Sequence, residues 1–223
     1  MFYLGIYCGE NIDQTTIIIL KQLLKNVKKH YQVKTIKRFP IGTIFFEIEK
    51  QIVKFYNDQQ LIVKKRIFSQ DRRPAKNVKA HPKIVIDFTN IEAGQIDGLR
   101  KRKISVEGIS IKNSENGWRK ENQEIGLGNN YYVSRHDLMV NLLNVFEQKR
   151  LIIDKEAPFA DNLIEELKNC KIELNTKNKK FSKVQREKEY NDIIMALAAP
   201  VWFRETIRYS RTYATSSREC GFI

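Results

Sequence analysis

The sequence predicts an α/β fold in which one central mixed β-sheet, an antiparallel opening hairpin and third strand plus parallel strands, is flanked by helices. Three observations predict it. The chain opens with two apolar, β-branched runs joined through a turn-like Asn-Ile-Asp, a third alternating run follows, and beyond it short apolar strands alternate with segments of helical periodicity. Consecutive antiparallel strands close by hairpins, whereas a strand that returns after a helix pairs in parallel, so the two patterns together make a mixed sheet.

Phe2 to Tyr7 is an apolar run closed by Gly9 and Asn11, and Gln14 to Leu20 is a β-branched run, so both read as strands of a hairpin. Lys21 to His30, with Lys25, Lys28 and Lys29, reads either as a loop or as a helical extension. Tyr31 to Arg38 alternates Val33 and Ile36 with charged residues and stops at Pro40-Ile41-Gly42, a third strand with a turn. Ile44, Ile48, Ile52 and Phe55 then recur at the spacing of one helix face, with Thr43 placed to cap it. The segment 57–80 is less regular and basic, an inserted strand or loop. Lys83 to Asp87 is a short apolar strand ending in an acid, and Gly94 opens a helix to Arg102. Ile104 to Ile111 alternates as a strand, and 113–130, polar with Gly117, Gly126 and Gly128, reads as a long loop or hairpin. Helices are expected over Ser134 to Arg150, Asn162 to Cys170 and Asn191 to Phe203, with a strand at Lys171 to Thr176 and a basic loop at Lys177 to Lys188. The domain is therefore expected to span 1–209, with 210–223 a flexible basic tail.

At 223 residues and 42% hydrophobic content, the chain has the size to bury one ordinary core. Its formal net charge of +14 draws polyanions, which points to nucleic acid or an anionic surface as partner, set against a general Lys, Asn and Ile bias that would give the same excess. Cys8, Cys170 and Cys220 are odd in number and lack C-x-x-C spacing, so neither a disulfide framework nor a cysteine zinc site is indicated. No apolar run approaches the span of about 20 residues that a membrane helix needs, and the apolar start is too short for a signal peptide. These features lead to the expectation of a cytoplasmic protein with no membrane partner. No G-x-x-x-x-G-K-[ST] occurs, which excludes a P-loop motor within this chain.

The residues that can carry chemistry are acids at element ends. Asp87 ends an apolar strand, where side chains face the crevice in which α/β sheets bind ligands, although an Asx turn with Thr89 would place an aspartate there equally well. Asp192 opens the last helix, where an aspartate is most simply a cap. Together they can hold divalent cations, because magnesium takes carboxylate oxygens and two such ions stabilise the attacking and leaving oxygens of a phosphodiester displacement. His136, in a basic helix-opening stretch, reads as a cap or a phosphate contact, and His81, before a proline, as a turn residue.

Five segments in order resemble the nuclease domain of the large terminase subunits of tailed phages, over roughly 1–203. Leu4-Gly5-Ile6-Tyr7-Cys8-Gly9 through Asp13-Gln14-Thr15-Thr16-Ile17 resembles that family's opening Gly-Val-Asp-x-Gly, Asp-x-Thr and apolar strand. Arg38-Phe39-Pro40-Ile41-Gly42-Thr43 resembles the exit of its third strand, and Ile84-Val85-Ile86-Asp87 with Thr89 and Gly94 its second acidic strand. Val133-Ser134-Arg135-His136-Asp137-Leu138 resembles a basic helix opening, and Glu189-Tyr190-Asn191-Asp192 through Ala198 the closing His-Asp-Asp helix.

The resemblance implies an RNase H-like fold and metal-dependent endonucleolytic cleavage of double-stranded DNA during phage DNA packaging, with Mg2+ or Mn2+ in a two-metal site. Carried over by position, Asp87 is the second metal-binding acid and Asp192 the third, both catalytic. Tyr7 stands where the first acid belongs, and Tyr190 and Asn191 replace the family's His and first Asp. A phenol, neutral at pH 7, is a poor ligand for magnesium. Glu10 and Asp13 are the acids available as substitutes. Three readings follow: an active nuclease; an inactive module of the same fold that keeps DNA binding; and a module that docks to a separate packaging ATPase or portal, as prophage relatives without a motor would. Phosphate contacts are expected from Arg100, Lys101, Arg102, Lys103, Arg135, Lys179, Lys180, Lys183 and Arg186.

Overall fold

The computed structural model describes residues 1–9, 14–67, 76–89, 91, 96–112, 118–121, 128–169 and 192–216, apart from the side chains at 65–67, 76, 77, 100, 118–121, 169 and 208–216. Its elements in chain order are strands β1 (Phe2–Tyr7), β2 (Thr16–Lys25) and β3 (Lys28–Arg38), helix α1 (Phe45–Tyr56), and strands β4 (Val63–Ile67), β5 (Lys76–Ala80) and β6 (Lys83–Asp87). They continue with α2 (Asp97–Lys101), β7 (Val106–Lys112), β8 (Trp118–Glu121), β9 (Asn130–Ser134), α3 (Arg135–Glu147), β10 (Leu151–Ile153), α4 (Ala160–Asn169) and α5 (Asp192–Ser216).

Eight strands form one sheet in the order β10-β3-β2-β1-β6-β7-β9-β8, and β4 and β5 pair apart from it as an antiparallel hairpin. The pairs β1·β2 and β2·β3 are antiparallel, while β1·β6, β6·β7 and β7·β9 are parallel. This is the predicted mixed sheet. Alternation along each strand sends Tyr3, Ile18, Leu20, Ile36, Val85, Ile109 and Tyr131 to one face, where α3, α4 and α5 cover them. The other set, with Leu4, Ile6, Ile17, Ile19, Ile84 and Ile86, packs under α1 and α2 through Ile48, Ile52 and Leu99. Each fully buried aliphatic side chain contributes roughly 1.5–3 kcal/mol of transfer free energy, so the two-sided burial of the central strands is the main source of cohesion.

Helix α5 lies along β1 at van der Waals limits. A Cβ on Gly5 would collide with the Ala196 carbonyl oxygen and with the Pro200 ring. Pro200 sits inside α5 and has no N–H, so the Ala196 carbonyl loses its usual donor four residues on. Proline and glycine thus permit one close approach, which fixes the N-terminal half of α5, including Asp192, over the sheet.

Several boundaries differ from the sequence reading. Lys21 to Lys25 continues β2, and the Asn26-Val27 turn, both residues at positive φ, returns directly into β3. The segment 21–30 is therefore a long hairpin arm and not a helix. Asn57 to Ala80 supplies the β4–β5 pair, β9 fills the gap between the expected loop and the helix from Ser134, and the three-residue β10 follows that helix where no element was expected. The residue before α1 is Ile44, without a side-chain cap, while the Thr43 hydroxyl donates to the Pro40 carbonyl at 2.7 Å and closes the preceding turn. Ser134 caps α3 by accepting from the Asp137 amide at 3.0 Å, so the cap is the serine and not His136. His81 is a turn residue as read, with its Nδ1 2.9 Å from the Tyr56 carbonyl oxygen and its ring stacked on Tyr56. Helix α5 runs to Ser216, taking in the first seven residues of the stretch read as a tail from Ser210. The strand expected at Lys171 to Thr176 and the basic loop after it lie outside the described residues.

Candidate active site

The strand registers assemble one row of residues across the end of the sheet. Arg38 pairs with Thr16, Thr16 with Tyr7, and Asp87 with Ile109; the Ile6–Ile86 pairing sets Tyr7 beside Asp87. Laterally paired residues share a face, and counting by twos from Ile36, Ile18 and Val85 puts Arg38, Thr16, Tyr7 and Asp87 on the face covered by α5. The row lies at the carboxyl ends of the parallel strands β1 and β6, where open α/β sheets bind their ligands.

Asp192, the first residue of α5, is buried at this end. Its Oδ2 accepts from the Thr16 hydroxyl at 2.5 Å and from Arg38 Nε at 3.0 Å, and its Oδ1 accepts from Arg38 Nη2 at 2.8 Å. The guanidinium therefore grips the carboxylate as a fork, the geometry that makes arginine the strongest single partner for a buried acid. Glu166 of α4 approaches the same corner and accepts from the Ile194 amide at 3.1 Å, satisfying one of the donors that every helix start leaves open. Burial pushes the Glu166 carboxyl up to about 8 against that amide, the negative charge of Asp192 adds to the rise, and Arg38 opposes it.

Asp87 is buried and bound differently. Its Oδ1 accepts from the Thr89 amide at 2.8 Å and from the Thr89 hydroxyl at 2.5 Å, while that hydroxyl accepts from the Ile111 amide at 2.8 Å. One threonine thus closes an Asx turn and ties the end of β6 to β7. Burial pushes the Asp87 carboxyl up to about 6, opposed by the Thr89 bonds and by the charge of Arg135. The Cys8 thiol is held well above its ordinary range by burial and then by Asp87, so it is no thiolate nucleophile.

The structure thus brings Asp87 and Asp192 to the same face and the same end of the sheet, with Tyr7 in the row between Asp87 and the Thr16 that binds Asp192. These residues do not fit a two-metal centre. Among the described residues no three His, Cys, Asp or Glu side chains converge as metal ligands. Both oxygens of Asp192 already serve a guanidinium and a hydroxyl, the position between the acids is a phenol, and Asp87 favours its protonated form more than an ordinary aspartate.

Among the expected phosphate contacts, Lys101, Arg102, Lys103 and Arg135 are exposed, with Arg102 Nε 3.5 Å from Glu49. Glu10, Asp13, Lys179, Lys180, Lys183, Arg186 and the Arg100 side chain lie outside the described residues. Thr16, Arg38 and Glu166 are members of the site that sequence reasoning did not assign. Arg38 was visible as the last charged residue of an alternating strand, but its partner is 154 residues away. Glu166 carries no sequence signal beyond the polar side of an amphipathic helix.

No family model matches this sequence, and no curated protein matches it. The fold is similar to the crystal structure of the large terminase nuclease from thermophilic phage G20c, with a TM-score of 0.51 and 15% identity over 89% of this chain and 80% of that one. At that identity the likeness concerns the fold, and it agrees with the RNase H-like architecture that the strand order describes: the chain carries the fold of a phage large-terminase nuclease domain.

Proposed function

We propose that this chain is a terminase-type nuclease fold that engages double-stranded DNA and does not support two-metal strand cleavage. One observation carries the reading: Asp192, the acid that would serve a metal, is locked in a fork with Arg38 of β3, three strands along the sheet from Asp87 of β6, with Tyr7 in the row between them. DNA as partner is supported by the +14 net charge and by the likeness to a terminase nuclease. The alternative is metal-dependent endonucleolytic cleavage of double-stranded DNA in phage DNA packaging, with Mg2+ or Mn2+ held by Asp87 and Asp192. It is favoured by their meeting on one face at one end of the sheet.

Incubation of supercoiled DNA with the protein and Mn2+ or Mg2+ separates the two readings. The expected result is intact DNA, together with binding that weakens about a thousandfold between about 50 and about 200 mM salt if about six phosphates are contacted. Cleavage that disappears in Asp192→Asn would establish the alternative. Salt-insensitive or absent binding would leave docking to a separate packaging ATPase or portal as the reading.

A further inference from the structure

We propose that the Arg38 guanidinium is the resident cation of this site, occupying the place at Asp192 that a divalent ion would otherwise take and thereby excluding it. This rests on the proposed reading only in taking the site to be closed to metal.

The Asp192 side chain has no exposed surface, and a carboxylate so placed must be paired or neutralised. Among the described residues the cation that pairs it is Arg38, through two bonds of 2.8 and 3.0 Å. What Arg38 balances is a set of hard oxygen donors: both Asp192 oxygens, the buried Thr16 hydroxyl bonded to one of them, and the Glu166 carboxyl, which feels the charges of both Asp192 and Arg38. Carboxylate and hydroxyl oxygens are what magnesium and manganese select. Arg38 itself keeps 15% of its side chain in contact with solvent at the end of β3, so its removal opens the corner to an ion from outside while leaving the oxygens in place. Lysine at this position would keep the charge and lose the fork.

Manganese is the probe, read by its relaxation of water protons and by thermal denaturation. Wild type is expected to take up no Mn2+ that depends on Asp192 and to melt at the same temperature with and without it. Arg38→Gln is expected to melt lower and to recover by about 5 to 10 °C when Mn2+ reaches a hundredfold its Kd. That recovery should vanish in the Arg38→Gln, Asp192→Asn double variant and be absent in Arg38→Lys. Should Arg38→Gln fail to fold without the ion, refolding in Mn2+ is the expected outcome, and a chain that stays unfolded in Mn2+ overturns the proposal. So does Mn2+ uptake by wild type that Asp192→Asn abolishes, or a folded Arg38→Gln indifferent to the ion. Failure to bind DNA would overturn the DNA-binding part of the proposed function and leave this inference standing, whereas Mn2+ uptake by wild type that Asp192→Asn abolishes would overturn this inference and the closed-site part of that reading together, leaving DNA binding untouched.

Discussion

Polar clusters sit at the two ends of the stretch of helix α5 from Asp192 to Ile207, and they are balanced in opposite ways. Toward the C-terminal side, Glu205 meets an excess of donors: the Tyr31 hydroxyl at 2.5 Å, Arg150 at 3.2 and 3.3 Å, and Lys29 Nζ at 3.6 Å. Lys29 also donates to the Arg204 carbonyl at 3.1 Å, and Arg204 Nε to Gln22 at 2.6 Å, so the helix is stitched to β2, β3 and the turn after α3. Burial alone would raise the Glu205 carboxyl, yet Arg150, Tyr31 and Lys29 hold it below its ordinary value. At the N-terminal side, Asp192 and Glu166 share a corner where Arg38 is the cation in contact among the described residues, and Asp87 ends β6 on the same face of the sheet. There burial prevails and two carboxyls rise. An ion cluster with cations to spare acts as an anchor, while one with carboxyls to spare is what sites of chemistry or ligand exchange are made from.

The largest effect is expected where the anchor is broken. Glu205→Ala leaves Arg150 and Lys29 without their carboxylate in a part-buried place and should cost about 3–5 kcal/mol. For a domain of this size that lowers Tm by roughly 10 °C. DNA binding by the folded fraction should not change. Thermal denaturation followed by circular dichroism checks the first part, and a loss below about 1 kcal/mol would remove the contrast between the two ends.

A smaller effect separates the ends by pH. Asp87 rises from an ordinary value of 3.8 to about 6 on folding, so the folded state binds its proton more tightly. Stability contributed by the protonated group is complete below about 4 and is lost as pH rises toward 6. The rise corresponds to about 3 kcal/mol at about 1.4 kcal/mol per pH unit. Glu166 behaves likewise from 4.5 to about 8. Glu205, held low, has the opposite sign: its stabilisation is present above about 4.5 and is lost as pH falls. Denaturant midpoints measured from pH 4 to 8 should therefore show wild type losing ground to Asp87→Asn between 4 and 6, and to Glu166→Gln up to 8. Parallel curves would mean that these carboxyls are no more perturbed than surface ones.

The contrast between the ends was only half legible in the sequence. Continuous apolar runs at Ile17 to Leu20 and Ile84 to Ile86, buried on both faces of the sheet, and the alternation of Val33 and Ile36 with charged residues carried the central strands. The resemblance singled out Asp87, Asp192 and Tyr7, and the structure places them at one end of the sheet. What it could not carry was pairing at a distance: Arg38 with Asp192 and Arg150 with Glu205 are fixed by register and helix placement, not by neighbours in the chain. The arm at 21–30 was misread because its lysines lie on a two-stranded extension that reaches beyond the core, where exposure removes the alternation. Strands β9 and β10 were hidden for another reason: β9 runs directly into α3, and β10 has three residues.

The smallest expected effect tests whether the acid-rich end also faces DNA. Arg135 opens α3 on the site face, exposed, with its charge reaching Asp87, whereas Lys101 is exposed at the end of α2 in the opposite layer. Replacing one phosphate contact lowers the slope of log K against log salt by about 1 and changes affinity almost uniformly across DNA sequences. Arg135→Gln should do this and, by removing an opposing charge, raise the Asp87 carboxyl further. Lys101→Gln should leave the slope nearly as it was, and neither should shift stability by more than about 0.5 kcal/mol. Titrations of a short duplex at several salt concentrations measure both slopes. A loss seen only with Lys101→Gln would move the footprint to the α2 side and part DNA binding from the end of the sheet where Asp87, Tyr7 and Asp192 meet.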